Sequence, residues 1–475
     1  MNKKLFITRA VKVVSFCLIF IYLFSYSYNV LSWKDGSGGY DSAAITLYEE
    51  LEDNIVDVTF LGSSHCFSSI SNTKLWDDYG MGAFNMVISG QDLASSYYSM
   101  KEVFKTQSPD VVCVELYGIT FEKHAVTANI YRNALSFRYS ENFFGVVDAI
   151  APEEDKKDYL LKWPIIHTRY RELEKEDFVS SYPVYLGDST TATRVANIDE
   201  LYIYNGIDTS PVSEKNMEWI QKMVDCAKDN SAEICFFIVP YVASEEEQKQ
   251  FRYVEEYLTA QNVAVINFFD KIEEISFDYR TDFSDKGHTN NSGAKKITAY
   301  IGDYLKSNYD LPDRRGDKRY KHWEDNSTAF RHQTENSLLV KTNDINDYLS
   351  YLSELENRIV IISSNGEHIY PYTDITESLI KLGIDTDFII YGGVWVIDNG
   401  NVIFSSSDKD FLFYNDITEG TLAVKGIDNN KSITINRKNY SRVDNGINIV
   451  VYDNVLGRMV EYMGFDASNA YNEIR

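Results

Sequence analysis

The chain has 475 residues, 44% of them apolar, a length and composition suited to two or three domains with sizeable cores. A formal net charge of −25 with no basic stripe excludes a nucleic-acid partner, whose phosphates would repel it. Tyrosine is abundant, 35 residues against 6 tryptophans, which suits strands and sugar-stacking surfaces alike.

The amino terminus comes first. Lys3, Lys4, Arg9 and Lys12 precede an apolar, aromatic stretch from Val13 to Trp33 that lacks Asp, Glu, Lys and Arg. About 20 residues suit a membrane span. The basic flank predicts a cytoplasmic amino end and an extracytoplasmic body. A cleaved signal peptide is the alternative, because the densest part, Val13 to Phe24, is short. Ser25-Tyr26-Ser27 is a poor cleavage site, so residues 1–34 are read as a retained anchor.

Residues 56–61, 110–116, 234–240 and 263–267 are near-continuous apolar runs, the pattern of parallel strands covered on both faces. Helical patterns at 214–230 and 244–261 alternate with them, which predicts a doubly wound α/β domain over 35–310. The first run ends in Leu61-Gly62-Ser63-Ser64-His65, which puts a hydroxyl at a strand's carboxyl end, where open α/β sheets bind ligands. Residues 120–205 interrupt the rhythm and read as a helical insertion over the mouth of the site. There His167 and Arg169 are candidates for holding an acceptor, unless they pair with the nearby acids Glu172, Glu174 and Glu176. Asp285-Lys286-Gly287-His288-Thr289-Asn290 places a carboxylate three residues before an imidazole. A nucleophilic serine needs a base and the base an orienting acid, so Ser64, His288 and Asp285 form a candidate triad. The alternative for His288 is a helix cap. Cys66 is a rival nucleophile, and His65 and Asn290, flanking the two motifs, are further substrate-binding candidates.

Residues 311–335 are polar and mixed in charge, a linker composition, as in Asp313-Arg314-Arg315-Gly316-Asp317-Lys318-Arg319. Beyond them, 336–475 read as a smaller α+β domain. It has helices over 346–355 and 374–382, the latter ended by Gly383, and strands over 358–362, 388–397 and 446–453. Tyr391, Trp395 and Tyr452 offer a candidate sugar-stacking platform; core packing is their alternative role.

Four blocks in order resemble the SGNH (GDSL-like) hydrolase superfamily over roughly 50–308. They are Gly62-Ser63-Ser64, Phe84-Asn85-Met86-Val87-Ile88-Ser89-Gly90-Gln91-Asp92, the strand from Pro109 through Glu115 to Gly118, and Asp285 with His288. The resemblance implies an oxyanion hole formed by the N–H groups of Ser64 and Gly90. The chain departs from the family where Ser63 replaces an Asp and Ile119 an Asn, the latter an oxyanion donor. Similar departures occur in a branch that acylates surface polymers, including the D-alanine-transfer protein of teichoic acid. Residues 336–475 resemble the interleukin-like domain of the epithelial–mesenchymal-transition inducers in permuted order, which implies a carbohydrate-binding accessory or a spacer.

These resemblances imply a membrane-anchored serine acyltransferase that O-acylates, through an acyl-serine, a surface polysaccharide or teichoic-acid-like polymer. The donor would come from a multi-span membrane O-acyltransferase. An esterase using the same residues on water is the alternative, and a non-enzymatic glycan-binding assembly factor is a third class. No metal spacing or nucleotide motif appears, so neither metal nor cofactor is expected.

Overall fold

The computed structural model describes residues 3–32, 48, 51–123, 127–173, 175–178, 194–365, 376–384, 392–428, 430–466 and 472–474. The chain divides into two compact units, Met1–Ser327 and Thr328–Arg475. The first opens with a helix over Lys3–Leu31. Its segment Arg9–Leu31 has a mean hydropathy of 1.8 and is long and apolar enough to cross a bilayer. Phe16, Leu18 and Tyr22 stand exposed on it. Its last turn is tied down: Arg169 Nη1 donates to the Leu31 carbonyl at 2.9 Å, and the Phe24 and Trp163 rings lie 4.9 Å apart.

The apolar runs become β1 (Val58–Leu61), β3 (Val111–Glu115), β4 (Glu233–Ile238) and β5 (Ala264–Asn267). With β2 (Ala83–Asn85) they form a parallel sheet in the order β2-β1-β3-β4-β5. Side chains alternate across a strand, so each run feeds two cores. Val112, Val114, Phe236 and Ile238 face one, with the helices Leu93–Thr106, Glu214–Asp229 and Glu245–Thr259. Val111, Cys113, Cys235 and Phe237 face the other, with the helix Asn291–Asn308. Burial on both faces explains why these strands read as continuous apolar runs rather than alternating ones. The insertion holds helices at Thr127–Ser136, Glu141–Ile150, Lys156–Leu161 and Trp163–Ile166, while its described end over 194–205 is irregular.

The expected linker is not one. Arg314 pairs with buried Asp57 at 2.7 Å, and Tyr320 and Trp323 are buried in the first unit. A helix over Lys321–Lys341 follows and runs across the boundary between the units. Composition misled here because the charged residues flank two large aromatics that carry the packing.

In the second unit, β6 (Arg358–Asn365), β7 (Val394–Asp398), β8 (Asn401–Ser406), β13 (Gly446–Asp453), β14 (Arg458–Asp466) and β15 (Asn472–Ile474) form an antiparallel sheet. A second antiparallel sheet holds β9 (Phe411–Ile417), β10 (Gly420–Ile427), β11 (Asn430–Ile435) and β12 (Lys438–Asn439). Ile359, Ile361 and Val450 pack toward Val424 and Ile433 of the second sheet. Val360, Ile362 and Val451 pack toward Tyr348, Leu349 and Leu379 on the helices Ile345–Leu352 and Thr376–Lys381. Asp453, fully buried, accepts from His332 Nδ1 (3.1 Å) and Asn336 Nδ2 (2.7 Å) and pairs with Arg358. Trp395 and Tyr452 are core residues, 2% and 1% exposed, and cannot serve as a sugar platform. Tyr391, and the start of the strand expected over 388–397, lie outside the described residues.

Candidate active site

The site lies at the carboxyl edge of the parallel sheet, where the turn after each strand contributes. After β1 the chain turns at Gly62, whose φ of +148° favours glycine and whose missing Cβ leaves room for Glu115. Ser63 then caps the short helix Ser64–Ser69, its Oγ accepting from His65 N at 3.3 Å. That cap leaves Ser64 at the helix start with its hydroxyl toward the loop after β5.

There His288 Nε2 meets Ser64 Oγ at 2.8 Å, and Nδ1 lies 3.0 and 3.1 Å from the two oxygens of Asp285. With Nδ1–H donated to the carboxylate, Nε2 presents its lone pair to the serine hydroxyl. Burial alone would raise the Asp285 pKa, but the N–H of Gly287 at 2.7 Å and the interactions with His288 hold it below the usual carboxylate value. The loop is anchored by Thr289, whose Oγ1 donates to the Ser68 carbonyl at 2.6 Å, and Ser69 Oγ lies 3.0 Å from the same Oγ1. His288 is therefore not a helix cap.

Asn290 is that cap. Its Oδ1 accepts from the N–H groups of Ser292 and Gly293, and its Nδ2 donates to the carbonyls of Arg194, Thr281 and Phe283. Only 3% exposed and committed to main chain, it does not hold substrate. Arg169 is also corrected. It is buried against Asp177 at 2.8 Å and the end of the first helix, so it is not free for an acceptor. Glu174 and the side chain of Glu176 lie outside the description. His167 is exposed and bonds through Nδ1 to the Trp163 carbonyl one turn back.

His65 is 3% exposed, stacked on Tyr117 at 3.6 Å and edge-on to Tyr241 and His288 at 5.0 and 5.3 Å. Burial first, then the neighbouring His288, pushes its pKa well below the usual histidine value. It is a neutral wall of the site beside His288. Cys66 is fully buried, and burial with nearby Glu115 raises its thiol pKa, so no thiolate competes with Ser64.

Two residues that lie inside the motifs but were given no role there hold the turns together. Gln91, 1% exposed, accepts through Oε1 from Gly62 N (3.2 Å) and Ile88 N (3.3 Å), clasping the turn that carries Gly90 to the nucleophile turn. Glu115, at the end of β3, accepts from Ser63 Oγ at 3.1 Å and Tyr117 N at 2.6 Å. A carboxyl thus sits under the turn that carries Ser63 and Ser64. Its signal in the sequence is one acid ending an otherwise apolar strand.

Burial raises the Glu115 pKa from 4.5 to about 7, against the lowering effect of the Tyr117 and Ser63 donors. The unfolded chain releases this proton near pH 4.5 and the folded chain near 7. Between those values the folded state binds more protons, so stability is full below pH 4.5 and falls as pH rises to about 7. The loss amounts to about 3 kcal/mol. Glu115→Gln is expected to remove this slope. Urea unfolding of both proteins from pH 4 to 8 checks it, and parallel curves would refute the assignment.

No protein-family model matches the chain, and no protein with a curated description matches it. Several solved structures are similar to part of it, two of which follow. One is a Bacteroides fragilis protein described as an acylhydrolase, 12% identical, covering 55% of this chain and 94% of its own, with a TM-score of 0.30. The other is a Desulfitobacterium hafniense protein described as a lipolytic protein of the G-D-S-L family, 13% identical, covering 52% and 98%, with a TM-score of 0.28.

Proposed function

We propose that this chain is a membrane-anchored, extracytoplasmic serine acyltransferase of the SGNH type that moves an acyl group, acetyl first among candidates, to a hydroxyl of a surface polysaccharide. The observation that carries the reading is the Ser64–His288–Asp285 relay at 2.8 and 3.0 Å. Ser64 Oγ attacks the donor carbonyl while His288 takes its proton. The N–H groups of Ser64 and Gly90 hold the oxyanion. The departing donor oxygen receives the proton, leaving acyl-Ser64. A sugar hydroxyl then gives its proton to His288, attacks the acyl carbon and leaves as the O-acyl glycan, and the proton returns to Ser64. Asp285 fixes the imidazole and stabilises the imidazolium throughout.

The apolar first helix supports a donor delivered at the membrane. Confinement beside a multi-span acyltransferase would raise its effective concentration. A second reading, an esterase that removes acyl groups, draws on one observation: the side chains of His288 and Asp285 are 34% and 52% exposed, so water reaches the triad. Incubation with an activated acetyl ester and purified surface polysaccharide separates the two. Transfer predicts acetyl on the glycan and an acetyl-Ser64 peptide by mass spectrometry. Free acetate with the glycan unmodified would replace transfer by hydrolysis. No acyl on Ser64 under either condition would end both readings and leave the glycan-binding assembly role.

A further inference from the structure

Oxyanion stabilisation needs converging donors, and the loop after β3 supplies none from its side chain at position 119. Ile119 is 4% exposed and packs in the core. The insertion comes back to the same place. Gly90 has a φ of +67°, and a Cβ built on it would lie 2.3, 2.5 and 2.5 Å from Cγ, Nδ2 and Oδ1 of Asn129. The carboxamide of Asn129 therefore lies against the Cα of Gly90, the residue whose N–H the proposed mechanism assigns to the oxyanion. Any other residue at position 90 would displace it.

Asn129 is held in place from behind. Asn133 Nδ2, one turn along the same helix, donates to the Gly90 carbonyl at 3.1 Å and to the Asn129 carbonyl at 2.8 Å. Gln91 in turn fixes the Gly90 turn to the nucleophile turn. The Asn129 amide itself makes no hydrogen bond among the described residues. It is half-buried and lines, with Gly90, Phe121, Asn133, Lys215 and Trp219, a cavity of about 170 Å³. A primary amide placed on a glycine and facing a cavity, with no partner among the described residues, can donate to a ligand oxygen.

We infer that Asn129 is an oxyanion donor of this enzyme, supplied by the helical insertion, with its Nδ2 joining the N–H groups of Ser64 and Gly90. The inference rests on the acyl-serine reading and deepens it. The insertion then both covers the site and completes it, and the donor missing at Ile119 is replaced from a different element. Asn129 Nδ2 would bond the carbonyl oxygen weakly in the ground state and strongly once that oxygen carries charge, so it acts on turnover more than on binding.

The test uses the full chain in detergent and p-nitrophenyl acetate, with Ser64→Ala setting the background. Asn129→Ala is expected to lower kcat about 100–1000-fold with KM little changed. Labelling of Ser64 by a fluorophosphonate should slow in parallel, because its phosphoryl oxygen occupies the same hole. Asn129→Asp keeps the shape and guards against a folding defect. Its carboxylate opposes the oxyanion, so it should be at least as slow above pH 6 while melting like the wild type. Wild-type kcat in either variant, or a loss confined to KM, would overturn the role. A wild-type protein that neither turns over nor labels at Ser64 would instead remove the acyl-serine reading beneath it.

Discussion

Ser64→Ala is expected to abolish acyl-enzyme formation and to lower turnover of an activated ester by about 10⁴–10⁶-fold, with melting unchanged. His288→Ala should match it within about an order of magnitude, because serine and histidine act as a unit and their losses do not add. The reason is geometric. At 2.8 Å the imidazole can take the hydroxyl proton only from Ser64 Oγ, and the alternative nucleophiles are spent elsewhere. Ser63 Oγ is occupied by Glu115 and by the N–H of His65, and the Cys66 thiol is buried and protonated. Ser63→Ala should therefore keep its turnover and lose about 1 kcal/mol of stability with the helix cap. Mass spectrometry after fluorophosphonate treatment checks all of these. A label on Ser63 or Cys66 with Ser64 bare would overturn the assignment.

The Ser64–His288–Asp285 arrangement was legible because its chemistry is compressed into two short motifs, one straight after a strand and the other in the loop entering a helix. The four apolar strands were legible for a related reason, since burial on both faces leaves an unbroken apolar run. β2 was passed over as a strand because three residues are too few for a period. The supporting residues were hidden by a different cause. Gln91 and Glu115 matter through what they accept from, and acceptor geometry is a property of the folded turn. Asn129 belongs to a helix whose return to Gly90 no local pattern announces. Arg169 and Asn290 failed in the opposite direction. Their side chains suit ligands, but main-chain carbonyls and a nearby acid claim them first. The run Asn290-Asn291-Ser292-Gly293 could have been read as a helix start, since Asn is a favoured cap.

A chain ended at Asp310 is expected to lose most of the stability of the first unit, and one ended at Ser327 to keep it. The difference lies in residues that composition marks as a linker. Arg314 bonds both oxygens of Asp57, which is 3% exposed and also accepts from Gly82 N. Because Arg314 is partly exposed, its loss costs less than breaking a fully buried pair, about 1–3 kcal/mol for the hydrogen bonds that buried Asp57 forfeits. Trp323 is fully buried and donates from Nε1 to the Ala83 carbonyl at 2.9 Å, on the edge strand β2. Tyr320 and Trp76 lie 5.3 and 6.5 Å from its ring, and Trp76 Nε1 donates to Glu324 at 3.0 Å. Loss of one such tryptophan side chain costs about 3–5 kcal/mol more. Together these losses approach the 5–15 kcal/mol that holds a typical domain. The shorter chain would also leave β2 as a bare edge, open to pairing with other chains. Soluble yield, thermal melting and fluorophosphonate labelling of Ser64 compare the two ends. Trp323→Ala in the full chain isolates the larger packing contribution and should lower the melting temperature by several degrees. Equal melting and equal labelling of the chains ended at 310 and 327 would return residues 311–327 to the role of a linker.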